Sequence, residues 1–306
     1  MKLCGCLIKA AVALAVVCAV PASLSARQVQ EIELEYGGVT LLGDLVVPDG
    51  GGLDEGVVLL THGTLAHKDM ELIESLQIAL ADRGVASLAP TLSHGLDRRR
   101  GMYDCAVPHR YLYLDALGEI GAWASWLAGQ GAEAITLMGD SRGGNQTAWY
   151  AAERADERLS KVVLLAPATQ AGPEYEAKAY KQRYGAALAP LLEEAEKLVA
   201  AGKGDRLISV PGFIYCENAE VSAAGFVSNY APELRRDTPE LIPAIEAPVL
   251  VIAGSLDKVV PDVPARIKPL ADGTRVRLEV IEDADHFFLD FYAEDVADLV
   301  SELISE

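Results

Sequence analysis

Five short, predominantly apolar runs constrain this chain more than any other feature. Residues 57–61 read Val-Val-Leu-Leu-Thr, and similar runs occupy 85–89, 134–139, 162–166 and 248–253. A run that is apolar at nearly every position suits a strand buried on both faces, as a parallel sheet requires. Stretches with helical spacing lie between the runs. Leu72, Ile73, Leu76 and Leu80 share one face of residues 70–83, and Gly84 follows as a stop. Leu117, Ile120, Trp123, Ala124 and Leu127 line one side of residues 110–127. Further helices are expected over 142–154, 263–270 and 291–304, with a strand at 276–281. Ahead of them all, 31–36 alternates polar and apolar residues, and 39–48 forms a second hairpin arm about Gly37-Gly38. Strand and helix in alternation predict an α/β fold: a mostly parallel central sheet flanked by helices on both faces.

The alternation lapses after Pro167 and resumes at Pro248. Residues 169–243 hold no buried strand run and are polar, tyrosine-bearing and helix-prone. Pro190 opens one clear helix there and Gly202 closes it, with Leu191, Leu192, Ala195, Leu198 and Val199 on its apolar face. This stretch is expected to be a helical lid inserted into a single domain of residues 27–306. Residues 1–26 are read apart. Lys2 and Lys9 precede an apolar run, and Pro21 to Ala26 supplies small residues for cleavage, the pattern of a signal peptide. The run after Lys9 is shorter than the ~20 residues of a membrane span. The chain is therefore expected to be exported, periplasmic or secreted, with no stable span after processing.

The net charge of −19 becomes −21 once the two lysines of residues 1–26 are removed. Such an acidic surface argues against nucleic acid or anionic lipid as a main partner. Cys105 and Cys216 lie outside the leader. In an oxidising compartment they could form one disulfide, or remain two small unpaired hydrophobes. No Cys/His spacing resembles a metal site.

The apolar run 134–139 ends in Gly139-Asp140-Ser141-Arg142-Gly143, and a helix-like segment follows. A strand turning sharply into a helix there would push the Ser141 hydroxyl out above the sheet, with Gly139 and Gly143 letting the backbones pass closely. The Arg142 N–H would lie at a helix N-terminus, facing a developing oxyanion. A serine nucleophile needs a base, and at neutral pH that is histidine. Of His62, His67, His94, His109 and His286, only His286 lies in a loop after the last expected strand. Asp257, just past the run 248–253, is the acid candidate, with Asp283 and Asp285 as competitors beside the histidine. Ser141, Asp257 and His286 each follow a strand's carboxyl end, where ligands collect in parallel sheets. The alternative for Ser141 is an ordinary helix N-cap.

The order Ser…Asp…His with G-D-S-R-G at an elbow resembles the α/β-hydrolase superfamily. Thr61-His62-Gly63-Thr64 is similar to the HG motif of that family, and Gly254-x-x-Asp257-x-x-Val260-Pro261 to its acid loop. The resemblance covers about 31–168 and 244–306. It implies a serine hydrolase of carboxylic esters with Ser141, Asp257 and His286 as catalytic residues. The backbone N–H groups of Arg142 and Thr64 would form the oxyanion hole, with Leu65 as the alternative to Thr64. His62 would then be structural. A small-molecule ester or acyl substrate is implied, and no cofactor. A peptidase or thioesterase would carry the same residues, and a non-catalytic envelope ligand-binding protein could share the fold.

Three other features invite roles. Arg98-Arg99-Arg100, the one dense basic cluster, is either a solvated loop or a subsite for an anionic substrate. His67, His94 and His109 are expected at the surface or lining a pocket. Tyr175, Tyr180, Tyr184, Phe213, Tyr215, Phe226 and Tyr230 would line an acyl pocket or form the insertion's own core.

Overall fold

The computed structural model describes residues 28–154, 158–170 and 173–306. The leader read over residues 1–26 lies outside the described residues. Among the described residues, no helix is long and apolar enough to cross a membrane.

Eight strands form the main sheet: β1 (Gln28–Tyr36), β2 (Val39–Val47), β3 (Val57–Thr61), β4 (Ala86–Thr91), β5 (Ile135–Asp140), β6 (Leu159–Leu165), and, after an insertion, β9 (Val249–Gly254) and β10 (Val276–Ile281). Their order is β1-β2-β4-β3-β5-β6-β9-β10. The edge hairpin β1–β2 is antiparallel, and β2 also runs against β4; every other neighbour pair is parallel. Gly37 and Gly38 both have positive φ (60° and 87°), so the hairpin closes in two residues, as its right-handed strand twist favours. Strands β3 and β9 are buried at every position, which is why their sequences lack alternation.

Helices cover both faces of the sheet. Helix α1 (Glu71–Asp82) lies beside the closing helix α9 (Tyr292–Ser305), and α2 (Asp115–Gly129) beside α3 (Ser141–Glu153). Arg83 pins the first pair, donating to Asp298 at 2.7 Å and to Glu294 at 2.8 Å. The expected helix 263–270 is shorter, α8 (Val263–Ile267). The expected helix at 110–127 begins only at Asp115. The backbone before it is engaged elsewhere: the His109 N–H donates to Glu220 O at 2.8 Å, and its carbonyl accepts from Ser222 N.

The insertion between β6 and β9 is not purely helical. It holds α4 (Pro173–Tyr184), α5 (Leu188–Ala200), the antiparallel hairpin of β7 (Leu207–Phe213) and β8 (Cys216–Ser222), α6 (Ala223–Tyr230) and a short α7 (Thr238–Leu241). The expectation of a helical segment without strands is corrected here. Val210, Phe213, Cys216, Ala219 and Val221 are buried, but polar residues interleave them and Pro211 interrupts β7. Ile214 and Tyr215 make the turn at positive φ without glycine or asparagine, so no turn signal marks it. These residues pack with Tyr180, Phe226 and Tyr230, and with Leu65, Tyr103 and Tyr111 of the sheet domain, in a second apolar cluster. Cys105 and Cys216 are disulfide-bonded, fastening the loop before α2 to the start of β8.

Candidate active site

Ser141 sits where β5 becomes α3, at φ 53°. That left-handed conformation is costly for a residue with a Cβ, and it persists because the surroundings over-determine it. A Cβ on Gly139 would stand 2.4 Å from both Gly143 O and Thr147 Oγ1. The two glycines therefore let the strand, the turn and the helix share one close crossing. Ser141 is not an N-cap: Asp140 occupies that position and makes no side-chain cap bond.

The loops after β9 and β10 are locked together. Leu256 N–H donates to Ala284 O at 2.9 Å, and a Cβ on Gly254 would stand 2.4 Å from the same oxygen. This contact brings Asp257 to His286: Nδ1 lies 2.8 Å from Asp257 Oδ2, while Nε2 lies 3.0 Å from Ser141 Oγ. Asp257 Oδ1 accepts from the N–H groups of Val259 and Val260 at 2.7 and 2.9 Å, which leaves Oδ2 aimed at the imidazole. With the ring proton on Nδ1 towards the carboxylate, Nε2 is the acceptor for the serine hydroxyl. Asp283 and Asp285 make no hydrogen bond to His286. The Asp283 N–H goes to Ser255 Oγ, and Asp285 Oδ1 accepts from Phe287 N.

Burial opposes charging of His286, but the Asp257 hydrogen bond and the charges of Asp140 and Asp257 prevail and raise its pKa above the ordinary value. Burial likewise disfavours the Asp257 carboxylate, yet its bonds to His286 and to the Val260 and Val259 N–H groups hold its pKa below the usual range. Asp140 was only the variable position of the serine motif in sequence. Burial, with Asp257 nearby, pushes its pKa up to about 7, against the His286 charge and the Gly63 N–H that favour its ionised form. Its proximity to the histidine carried no sequence signal.

The loop after β3 runs beside the elbow. A Cβ on Gly63 would stand 3.4 Å from Ser141 Cβ, and Thr64 borders the same cavity as Ser141 and Arg142. Leu65 has φ 56° and is buried in the second apolar cluster. His62 is fully buried and structural: Nδ1–H donates to Gly63 O at 2.8 Å, and Nε2 accepts from Leu92 N–H at 3.0 Å. Burial and the adjacent Arg99 push its pKa down to about 3.

The basic cluster forms no anion subsite. Arg98 pairs with Glu33 and Arg100 with Glu31 at the surface. Arg99 is buried and donates to the carbonyls of Leu92, Gly101 and Ala66 at 2.6, 2.8 and 2.5 Å. His94 and His109 are buried, not at the surface, with ring centroids 4.3 Å from Tyr111 and 4.6 Å from Tyr103 respectively. The insertion's aromatics divide. Tyr175 and Tyr215 border a cavity of ≈ 410 Å³ over Ser141, Tyr180, Tyr184, Phe213 and Phe226 pack in the second apolar cluster, and Tyr230 does both.

The model of the alpha/beta hydrolase family matches residues 57–299. No match was found among curated protein sequences. Solved structures similar to this chain include Est1E from Butyrivibrio proteoclasticus, at 17% identity and a TM-score of 0.62, covering 90% of this chain and 99% of that one. The esterase domain of a Rhodothermus marinus protein is similar at 15% identity and a TM-score of 0.57, over 90% and 97% of the two chains. Dienelactone hydrolase from Anabaena variabilis is similar at 21% identity and a TM-score of 0.53, over 90% and 96%. At these identities the likeness is one of fold.

Proposed function

The chain belongs to the alpha/beta hydrolase family, and on that premise we propose that it is a serine hydrolase cleaving carboxylic esters through an acyl-enzyme on Ser141. One observation carries the reading: a serine held at φ 53°, its Oγ 3.0 Å from an imidazole whose other nitrogen lies 2.8 Å from a buried carboxylate. Ser141 Oγ attacks the ester carbonyl as His286 Nε2 takes its proton. His286 then passes that proton to the departing alcohol, and water, deprotonated by the same nitrogen, releases the acid. Asp257 holds the tautomer and stabilises the imidazolium. The backbone N–H groups of Arg142, at the start of α3, and of Thr64 are assigned to the tetrahedral oxyanion; such a donor contributes about 10²–10³ in rate.

The insertion is assigned the part of a lid, since Tyr175, Ile214, Tyr215 and Tyr230 border the cavity over the serine. Export to the periplasm or medium is proposed from the leader pattern of residues 1–26.

A fluorophosphonate probe tests the reading. Labelling of the wild type, abolished in Ser141→Ala, is expected. A panel of esters of graded acyl length, with amide and thioester analogues, should show turnover of the esters first. Asp257→Asn should lower kcat by about 10³–10⁴, since the imidazole loses its tautomer, whereas Asp283→Asn should not. A folded protein that neither labels nor turns over any ester sinks the proposal.

A further inference from the structure

Ser141 stands at the junction of two cavities of opposite character. One, of ≈ 410 Å³, is bordered by His286 and by Met70, Leu72, Ile73, Phe287 and Leu289. The other, the cavity beneath the insertion, is bordered by Arg142, Arg183, Arg236 and Lys258, with Glu176 as its one acidic neighbour. Four cations to one acid reverse the balance of a chain whose net charge is −19. Elsewhere Arg83, Arg98, Arg100, Arg235, Arg266 and Arg277 have taken carboxylate partners. Among the described residues, none of the four cavity cations has a carboxylate within ion-pair distance. Glu176 itself accepts from Gln170 Nε2 at 2.6 Å.

Arg236 is the sharpest case. It is 5% exposed, yet its Nε and Nη2 are buried without a protein partner. Nη1 alone is engaged, on the carbonyl of Asn229. Nε and Nη2 form one edge of the planar guanidinium, the edge that matches both oxygens of a carboxylate. Leaving two charged donors buried and unsatisfied is costly, so a fold that keeps them so invites an anion. Arg142 is set beside the same cavity by the same residue: it donates to Asn229 Oδ1, and its guanidinium lies over the Tyr113 ring, 4.2 Å from the centroid. Asn229 thus orients both guanidiniums.

We propose that the substrate is an ester carrying a second, free carboxylate, held side-on by Arg236 with Arg142 beside it, while the apolar arm occupies the cavity of Met70 and Phe287. The chemistry rests on the serine hydrolase reading; the selectivity rests on Arg236. Water adds across the acyl–oxygen bond, and the anchoring carboxylate passes through unchanged.

Two ester pairs test this. Monobutyl glutarate is compared with butyl hexanoate, placing the charge on the acyl arm. A 4-(hexanoyloxy)butanoate is compared with pentyl hexanoate, placing it on the alcohol arm. The wild type should favour the charged member of at least one pair in kcat/KM. Arg236→Gln should reduce that charged-to-neutral ratio by about 10- to 100-fold, the value of a charge-assisted bond, with Arg236→Lys between the two. If Arg236→Gln does not fold, Arg142→Gln, which keeps its backbone N–H, carries the same comparison. Glutarate alone, titrated calorimetrically, should bind the wild type and bind Arg236→Gln about 10- to 100-fold more weakly. Esters hydrolysed with no charged preference, or with a ratio that the arginine variants leave unmoved, overturn the carboxylate subsite and spare the hydrolase. Glutarate bound through Arg236 in a protein that hydrolyses no ester overturns the hydrolase and spares the subsite.

Discussion

Gly143 rests against the backbone of His62: a Cβ on it would stand 2.3 Å from His62 O and 2.6 Å from Thr61 O. The loop after β3 and the first turn of α3 are therefore fitted to one another without space for a methyl group. Gly143→Ala must push one backbone off the other, and overpacking of this kind costs about 1–3 kcal/mol. Urea unfolding should show the lower midpoint, and hydrolase activity measured well below that midpoint should fall too, because Thr64 and Ser141 ride on the two displaced segments. An unchanged midpoint would mean that the loop yields freely.

On the proposed mechanism, activity should rise with pH through an apparent pKa above the ordinary histidine value of about 6.5, because there the neutral imidazole is the base, and its pKa is raised. The Asp140 carboxyl, pushed up to about 7, contributes to that rise through its charge, so the apparent value belongs to a coupled set. Asp140→Asn removes a negative charge beside His286 and should move the kcat/KM profile to lower pH. A shift upward, or none, would contradict this account.

Glu119 is buried in α2, and its two oxygens accept from the Ser93 N–H at 2.7 Å and the Ser93 hydroxyl at 2.5 Å. Burial outweighs these bonds and raises its pKa from 4.5 to about 7. The native state therefore binds more protons than the unfolded chain between those values, and this group's contribution to stability is full below about 4.5 and is lost as pH rises through about 7. The loss amounts to about 3 kcal/mol at most. Melting curves of the wild type and Glu119→Gln across that window should diverge, the variant losing less as pH rises. Parallel curves would show that Glu119 titrates normally.

The Cys105–Cys216 bond spans 111 residues of sequence and ties the loop before α2 to the hairpin of the insertion. Cross-links over loops of that length stabilise by about 2–5 kcal/mol. The double variant Cys105→Ser/Cys216→Ser should unfold at correspondingly lower denaturant, and reductant should destabilise the wild type alone. Equal sensitivity of both proteins to reductant would exclude the bond as the cause.

Much of the fold was legible in sequence because burial on two faces leaves a local record. The uniform runs of β3 and β9, the paired glycines of the edge hairpin and the crowded glycines of the serine elbow each state their own geometry. The insertion's hairpin left no such record: its strands mix polar and apolar residues, and Ile214-Tyr215 turns without the usual residues. The basic triplet left two readings open for a related reason, and the solvated loop holds for Arg98 and Arg100 but not for the buried Arg99. Charge density in sequence does not reveal that Glu31 and Glu33, on a neighbouring strand, neutralise Arg100 and Arg98, or that Arg99 is spent on backbone carbonyls.

The sequence by itself determined the parallel sheet, the turn at Ser141 and the order of serine, acid and histidine, because periodicity and tight turns are set by neighbouring residues. Only the tertiary structure decided that Asp257, not Asp283 or Asp285, meets His286, that Asp140 adds its charge to the histidine, and that Arg236, in the wall of the cavity, keeps two buried donors without a protein partner. Those outcomes depend on which loops pack together at the carboxyl rim of the sheet, and distance through space between residues remote in the chain is written in no local pattern.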